Sequence, residues 1–293
     1  MKAICIDIGG TAIKYGILRQ DGPEAQVEIE AKASQNWDPK SLGGPQVPGF
    51  VFDLVEDYLD DNIDFIGIST AGVVDVQVGV IQSANDNIPN YAGVKLKEEL
   101  QGLTDKPVFV DNDVNCAGLA EYKQGHAKSA EVALTLTLGT GVGGGLIHQG
   151  QVFRGANSQA MEVGYLPLKD GSFEDLASVT GLIKRCQIRL GQEGLDGKTI
   201  FALALEESNA VCLEEIDRLV DYLTDGLQVL CLTLDPDMVI LGGGVMAQAD
   251  YLIPRIQDSL DQKVNRPLAV KPAKYLNDAG ILGAFFTGLA QLG

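Results

Sequence analysis

A strand, a glycine-rich turn and a second strand follow one another twice in this chain, and that duplication limits the available folds more than any other feature. The first copy, Ile4 to Leu18, reads ICIDIGGTAIKYGIL, and the second, Val132 to Ile147, reads VALTLTLGTGVGGGLI. A repeat of this size, set in two halves of one chain, predicts two domains built on the same plan.

Glycine admits backbone angles closed to other residues and lets the chain approach a ligand closely, so successive N–H groups can point at phosphate oxygens. Gly9, Gly10, Thr11, Thr140 and Gly141 are placed for this, with the two threonines adding hydroxyl donors. Two such turns facing each other suit a nucleoside triphosphate. A dinucleotide-binding fold would need a helix directly after the second glycine run. The residues there, Leu146-Ile147-His148-Gln149-Gly150-Gln151-Val152-Phe153, alternate around a glycine and read instead as a hairpin. Two ordinary hairpins without a ligand would account for either copy, but not for both together with Asp7 and Lys14.

The 293 residues suffice for two domains, each with its own core, and the 45% hydrophobic content is that of a globular protein. Forty acidic residues against 22 basic ones give a net charge of −18, which argues against nucleic acid or an anionic membrane as partner. ATP is not excluded, because local N–H groups and magnesium can hold it within an unfavourable overall field. Met1-Lys2 leads straight into a strand, with no signal-peptide pattern. The apolar stretch from Ala279 to Leu289 falls short of the roughly 20 residues that span a bilayer. Cys5, Cys116, Cys186, Cys212 and Cys231 are scattered, without close pairs, as expected of reduced core thiols in a cytoplasmic protein.

Hydrophobic patterning predicts strands at 2–9, 12–19 and 25–33, a polar connection over 34–48, and a helix at 49–60 presenting Phe50, Phe52, Leu54, Val55, Tyr58 and Leu59. Strands at 65–70 and 107–110 end at Gly72 and Asp111, and ligands in open α/β sheets bind at that edge. The second half repeats the order, with strands over 132–153, helices at 175–190 and 208–234 and a strand at 238–241 running into Gly242-Gly243-Gly244. A final helix covers 281–289. The domains are drawn at 1–113 and 114–278, with 279–293 packing back on the first.

Asp111-Asn112-Asp113-Val114-Asn115 follows an apolar strand and precedes a helix predicted at 116–123, so one of these residues is expected to cap it. The order imitates a calcium loop, but Cys116 stands where its glycine belongs and Tyr122 where its glutamate belongs. A cap without chemistry remains one reading; Asp113 as general base for a hydroxyl, with Asn112 orienting the same substrate, is the other. Gly194 to Thr199 ends like a P-loop, yet Gln192 occupies the position of its first glycine, and Lys198-Thr199 reads as a helix start. Two histidines, His126 and His148, leave little for a histidine metal site.

Together these motifs resemble the ROK group of sugar kinases and sugar-responsive repressors, within the actin, hexokinase and heat-shock-70 ATPase superfamily. Asp7-Ile8-Gly9-Gly10-Thr11 with Lys14 is similar to the first phosphate motif, Leu138 to Gly145 to the second, Gly242-Gly243-Gly244 to the adenosine motif, and Asp278 to Ala284 to the family's closing segment. The resemblance covers nearly the whole chain. It implies an α/β fold of duplicated ATPase-like domains with an interdomain cleft, ATP and Mg2+ as requirements, and a homodimer. It assigns Asp7, Gly9, Gly10, Thr11, Lys14, Thr140, Gly141, Gly243 and Gly244 to ATP, with Asp7 holding magnesium through water. Asn112 and Asp113 correspond to the family's sugar-holding pair, the aspartate as base; Glu162 and Glu174 to carboxylates gripping sugar hydroxyls; Gly72 and Asn87 to positions lining the pocket.

Family members commonly carry a histidine where Tyr165 stands, followed by a cysteine-rich zinc loop; here Leu166 to Ser172 contains no cysteine. The expectation is therefore no zinc, and a pocket corner shaped by Tyr165 as in the branch that includes β-glucoside kinases. The implied reaction is ATP-dependent phosphorylation of a hexose or hexoside hydroxyl, O6 foremost. The alternatives are a β-glucoside or N-acetylmannosamine kinase, a sugar sensor that does not bind DNA, and an ATP hydrolase without sugar chemistry. Repressors of the family carry a winged helix before the first phosphate motif, for which the residues preceding Asp7 leave no room.

Overall fold

The structure is a computed structural model that describes residues 1–292. The chain forms two compact units, one of Met1–Lys128, Gly150–Ala160 and residues from Asn277 onward, the other of Ser129–Gln149 and Met161–Leu276. The first division falls after Lys128, beyond the helix Asp113–Gln124, whereas the sequence reading divides the chain at Asp113. Packing explains the difference. Gly283 of the C-terminal helix Ala279–Leu292 lies so close to the Cys116 carbonyl that a Cβ there would overlap it, which ties both helices to the first unit.

In the first unit five strands lie in the order Glu28–Asn36, Ala12–Arg19, Lys2–Ile8, Phe65–Thr70 and Val108–Asn112. The first three pair antiparallel and the last three parallel. The second unit repeats the plan with Val142–His148, Val132–Leu138, Met238–Gly242 and Ala269–Pro272 in that order. Its central strand pairs antiparallel with Val142–His148 and parallel with Met238–Gly242. Lys2–Ile8 and Val132–Leu138 are equally long and share one burial pattern, so the duplication seen in sequence is a duplication of sheet position.

Each unit has its own apolar core. Ile4, Ile6, Ile66, Ile68, Val108 and Val110 fill the first, and Leu134, Leu136, Phe173, Leu223, Leu227 and Val239 the second. Both central strands are thus buried on two faces, as parallel neighbours require. In the first unit the C-terminal helix lies on the sheet at Gly67, where a Cβ would meet the backbone of Ala284, and Phe285 packs on Phe65 with ring centroids 5.6 Å apart.

Several boundaries move from their predicted places. The third strand runs Glu28–Asn36, because the stretch before it turns at Gly22, whose carbonyl accepts from Ala25 N at 3.0 Å. Nearly every residue of that strand is exposed, so hydrophobic alternation carries no register. The helix expected at 49–60 runs Val47–Val55 with Pro48 in its first turn, where the missing N–H costs nothing. Val47, Pro48, Val51 and Val55 form its buried face, and Phe50, Phe52 and Leu54 are half-buried. The helix expected at 175–190 is two, Phe173–Ala177 and Val179–Leu190, with Ser178 closing one and capping the next through Gly181 N at 3.0 Å. Sequence reading misses the helix Ala249–Lys263, which contains Pro254, and the strand Ala269–Pro272.

Candidate active site

In the first unit the parallel register sets Asp7 beside Ser69, and Ser69 beside Asp111, at the C-terminal ends of adjacent strands. Asp7 accepts from the Ser69 hydroxyl at 2.7 Å, and Lys14, its antiparallel partner, brings Nζ to 3.7 Å of Oδ2. Burial holds the Asp7 carboxyl above its ordinary range, against the opposing pull of Ser69 and Lys14. A Cβ at Gly280 would overlap the Asp7 carboxylate, so the start of the C-terminal helix lies directly against it. Next in the chain, Gly9 N donates to Ala12 O at 3.1 Å and closes the turn, with Gly10 and Thr11 exposed at its tip.

Asn112 ends its strand in an extended conformation and caps the helix Asp113–Gln124, accepting from Val114 N at 2.9 Å and Asn115 N at 3.2 Å. The helix therefore starts three residues earlier than the predicted Cys116. The Asn112 amide donates to Gly72 O and to Asp113 Oδ1, both at 3.0 Å, which positions the aspartate through both flanking segments. Asp113 Oδ1 also accepts from Val114 N at 2.9 Å. Burial first, and the nearby Asp7 charge second, push the Asp113 carboxyl up to about 7. A carboxylate of that basicity beside a fixed amide is suited to accept a hydroxyl proton near neutral pH.

Gly72 has φ 96° and packs where a Cβ would stand 2.6 Å from Ser83 O, so its left-handed backbone and its carbonyl direction both depend on glycine. Asn87 is exposed, with its Cβ facing the open side of Gly10. Asp111 is 1% exposed and pairs with Arg154 Nη2; its Oδ1 accepts from Asn112 N at 2.8 Å and Asn115 Nδ2 at 3.2 Å. Ser69, Arg154 and Trp37, which donates Nε1–H to Gly9 O at 2.8 Å, are absent from the residues chosen by sequence reading. No motif marks them.

In the second unit Gly139 N donates to Gly141 O at 3.0 Å, where Gly9 N of the first unit reaches one residue further to Ala12 O, and Thr140 is exposed at its tip. Glu174 accepts from Val142 N at 3.1 Å, and a Cβ at Gly141 would overlap its carboxylate. The side chain thus braces the glycine turn. Glu162 is exposed, yet partial desolvation and then the Glu174 charge raise its carboxyl. Tyr165 ends a short 3-10 turn, Val163–Tyr165, with 77% of its surface exposed. Gly243, at φ 91°, presses on the backbone of Leu138 so tightly that a Cβ would overlap it, bringing Gly243-Gly244 against the end of the strand Val132–Leu138.

Among the described residues no group of three His, Cys, Asp or Glu side chains is arranged to hold a metal ion alone. A single carboxylate beside an exposed glycine turn does fit magnesium carried by a nucleotide, since Mg2+ keeps several waters and uses one or two carboxylates together with substrate phosphates. All five cysteines are free and buried.

Two units repeating one mixed sheet, each with its central strand running into a glycine turn, give this chain the fold of a ROK hexokinase. The chain belongs to the ROK family, whose model matches residues 3–290. It is 30% identical over 303 residues to a β-glucoside kinase of Listeria monocytogenes, covering 99% of this chain and 98% of that one. The crystal structure of a ROK hexokinase from Thermus thermophilus superposes with a TM-score of 0.85 at 27% identity, covering 100% of this chain and 99% of that one. A ROK family glucokinase from Streptomyces griseus, in complex with glucose and AMPPNP, gives 0.83 at 25% identity over 100% of both chains.

Proposed function

We propose that this protein is an ATP-dependent sugar kinase that transfers the γ-phosphoryl group to a hexose or hexoside hydroxyl, O6 foremost, with Asp113 as general base. The observation that carries the reading is Asp113 itself, held by Asn112 and Val114 N with its carboxyl pushed up to about 7. Asp113 takes the hydroxyl proton, the freed oxygen bonds to the γ-phosphorus, and the bond from that phosphorus to the bridging oxygen breaks to release ADP. Amides of the Gly9-Gly10-Thr11 and Gly139-Thr140-Gly141 turns steady the phosphates, and Gly243-Gly244 receive the adenosine. Asp7 would hold the magnesium that accompanies ATP, and that ion, when bound, would neutralise charge on the phosphate oxygens. Lys14 serves the same phosphates from its place beside Asp7.

Glu162, Glu174 and Tyr165 are assigned to the sugar on the family resemblance. The geometry favours Glu162 as the more available carboxylate, because Glu174 already binds Val142 N. The exposure of Tyr165 supports a second reading, a kinase for β-glucosides, since an open aromatic surface suits a substituted sugar; the N-acetylmannosamine and sensor readings stay alternatives of the same site. A homodimer in the cytoplasm, without zinc, nucleic acid or membrane, completes the reading. No helix among the described residues is long and apolar enough to cross a membrane.

The test is ADP release with magnesium and ATP across glucose, mannose, N-acetylmannosamine, fructose, cellobiose and a simple β-glucoside, with polyphosphate replacing ATP in a parallel set. Strong stimulation by one sugar supports the kinase and names its substrate class. Stimulation by none, together with sugar binding in calorimetry, would replace it with a sensor.

A further inference from the structure

The chain has one tryptophan, and it sits on the first phosphate turn. Trp37 follows the last residue of the edge strand Glu28–Asn36, whose partner Ala12 begins the strand after the turn. From there it makes two hydrogen bonds to turn carbonyls: Nε1 donates to Gly9 O at 2.8 Å, and its backbone N donates to Thr11 O at 3.3 Å. The indole is half-buried and lies nearly parallel to Phe50, with an interplanar angle of 16° and centroids 6.1 Å apart. Phe50 belongs to the helix Val47–Val55, whose valines are in the core, so the ring is braced from behind.

The consequence follows from peptide geometry. In a planar trans peptide the carbonyl of one residue and the N–H of the next point in opposite directions. Holding the Gly9 carbonyl toward Trp37 therefore aims the Gly10 N–H away from it, toward the exposed side of the turn. A Gly-Gly peptide is the kind most free to reverse, because neither residue has a Cβ to resist the new angles. The geometry points to Trp37 as the positioning residue of this turn: its indole N–H locks the Gly9–Gly10 peptide with the amide presented to a nucleotide phosphate. The inference rests on the kinase reading for its ligand, and on Trp37, Gly9 and Thr11 for its mechanism.

Trp37→Phe keeps a ring against Phe50 and removes only the indole donor. The expected result is a rise of about tenfold in KM for ATP, the weight of one hydrogen bond, with KM for the sugar and kcat at saturating ATP within about twofold. A general loss of structure would move all three together. Independently of any variant, the sole tryptophan of the wild-type protein should change its emission when magnesium and AMPPNP are added without sugar, and adenosine, which lacks phosphates, should leave it unchanged. An unaltered KM for ATP in Trp37→Phe, or emission unmoved by AMPPNP at concentrations that inhibit turnover, would overturn the assignment. Failure of every sugar to stimulate the wild-type protein would defeat the kinase reading instead, and the AMPPNP titration would still decide the role of Trp37.

Discussion

The side-chain amide of Asn112 donates to Oδ1 of Asp113 at 3.0 Å while its oxygen caps the helix that Asp113 begins. One residue thereby fixes both the helix start and the direction of the carboxylate. The other Asn112 donor goes to Gly72 O, so the position of Asp113 depends on the strand end and on the loop after Thr70 together.

Asp113→Asn keeps the oxygen that accepts from Val114 N and removes the base. Turnover should fall by about 10²–10⁴-fold with sugar and ATP affinity nearly unchanged. In the wild-type protein kcat should rise with pH and level off above about 7, where the carboxyl ionises. A flat profile through that range, or full activity in the variant, would remove Asp113 from the mechanism.

The same group makes a stability prediction of opposite sense. Its folded carboxyl titrates at about 7 against 3.8 for the free side chain, so the folded state holds the proton more tightly. Its contribution to stability is complete below the lower value and is lost as pH rises through the upper one. Asp113→Asn should therefore melt with the wild type near pH 4 and about 2–4 °C above it at pH 8, for each kcal/mol recovered. Scanning calorimetry at the two pH values measures the difference.

Arg154→Met should leave the Asp111 carboxylate buried and unpaired beside the Asn112 cap. Breaking a buried pair from one side costs about 3–5 kcal/mol, and adding Asp111→Asn should return much of it. Urea unfolding of the single and double variants gives the answer. Equal destabilisation of both would show that the pairing itself matters little.

Glu174→Ala should strand the Val142 amide at the base of the second glycine turn. The expected cost is about 1–3 kcal/mol in stability, with a higher KM for ATP. If only the sugar KM rises, Glu174 acts on the sugar as the family resemblance assigns and not on the turn.

Gly283→Ala tests the seat of the C-terminal helix. Alanine favours a helix by about 1 kcal/mol, yet its methyl group would overlap the backbone carbonyl of Cys116, which cannot swing aside as a side chain can. Net destabilisation beyond about 3 kcal/mol is expected, read from the urea midpoint. A neutral or stabilised variant would mean that the helix shifts freely.

The sequence by itself determined whatever depends on a few neighbouring residues. Both glycine turns, the central strands and the cap at Asp111-Asn112-Asp113 are written in short runs, because strand alternation, glycine angles and cap chemistry act over a single turn of chain. The repeat of those runs also carried the duplicated fold. Where the local signal was absent, as in the exposed strand Glu28–Asn36 or the proline-bearing helix Ala249–Lys263, the boundaries or the element itself were missed.

Only the tertiary structure decided the partners of the site residues. Trp37 reaches Gly9 across 28 positions, Arg154 reaches Asp111 across 43, and Ser69 reaches Asp7 across 62. Glu174 likewise turned out to brace Val142, 32 positions away. Such contacts follow from strand order and register, which are set by the packing of whole sheets. A tryptophan or an arginine in a loop carries no pattern that names the carbonyl or carboxylate it will meet.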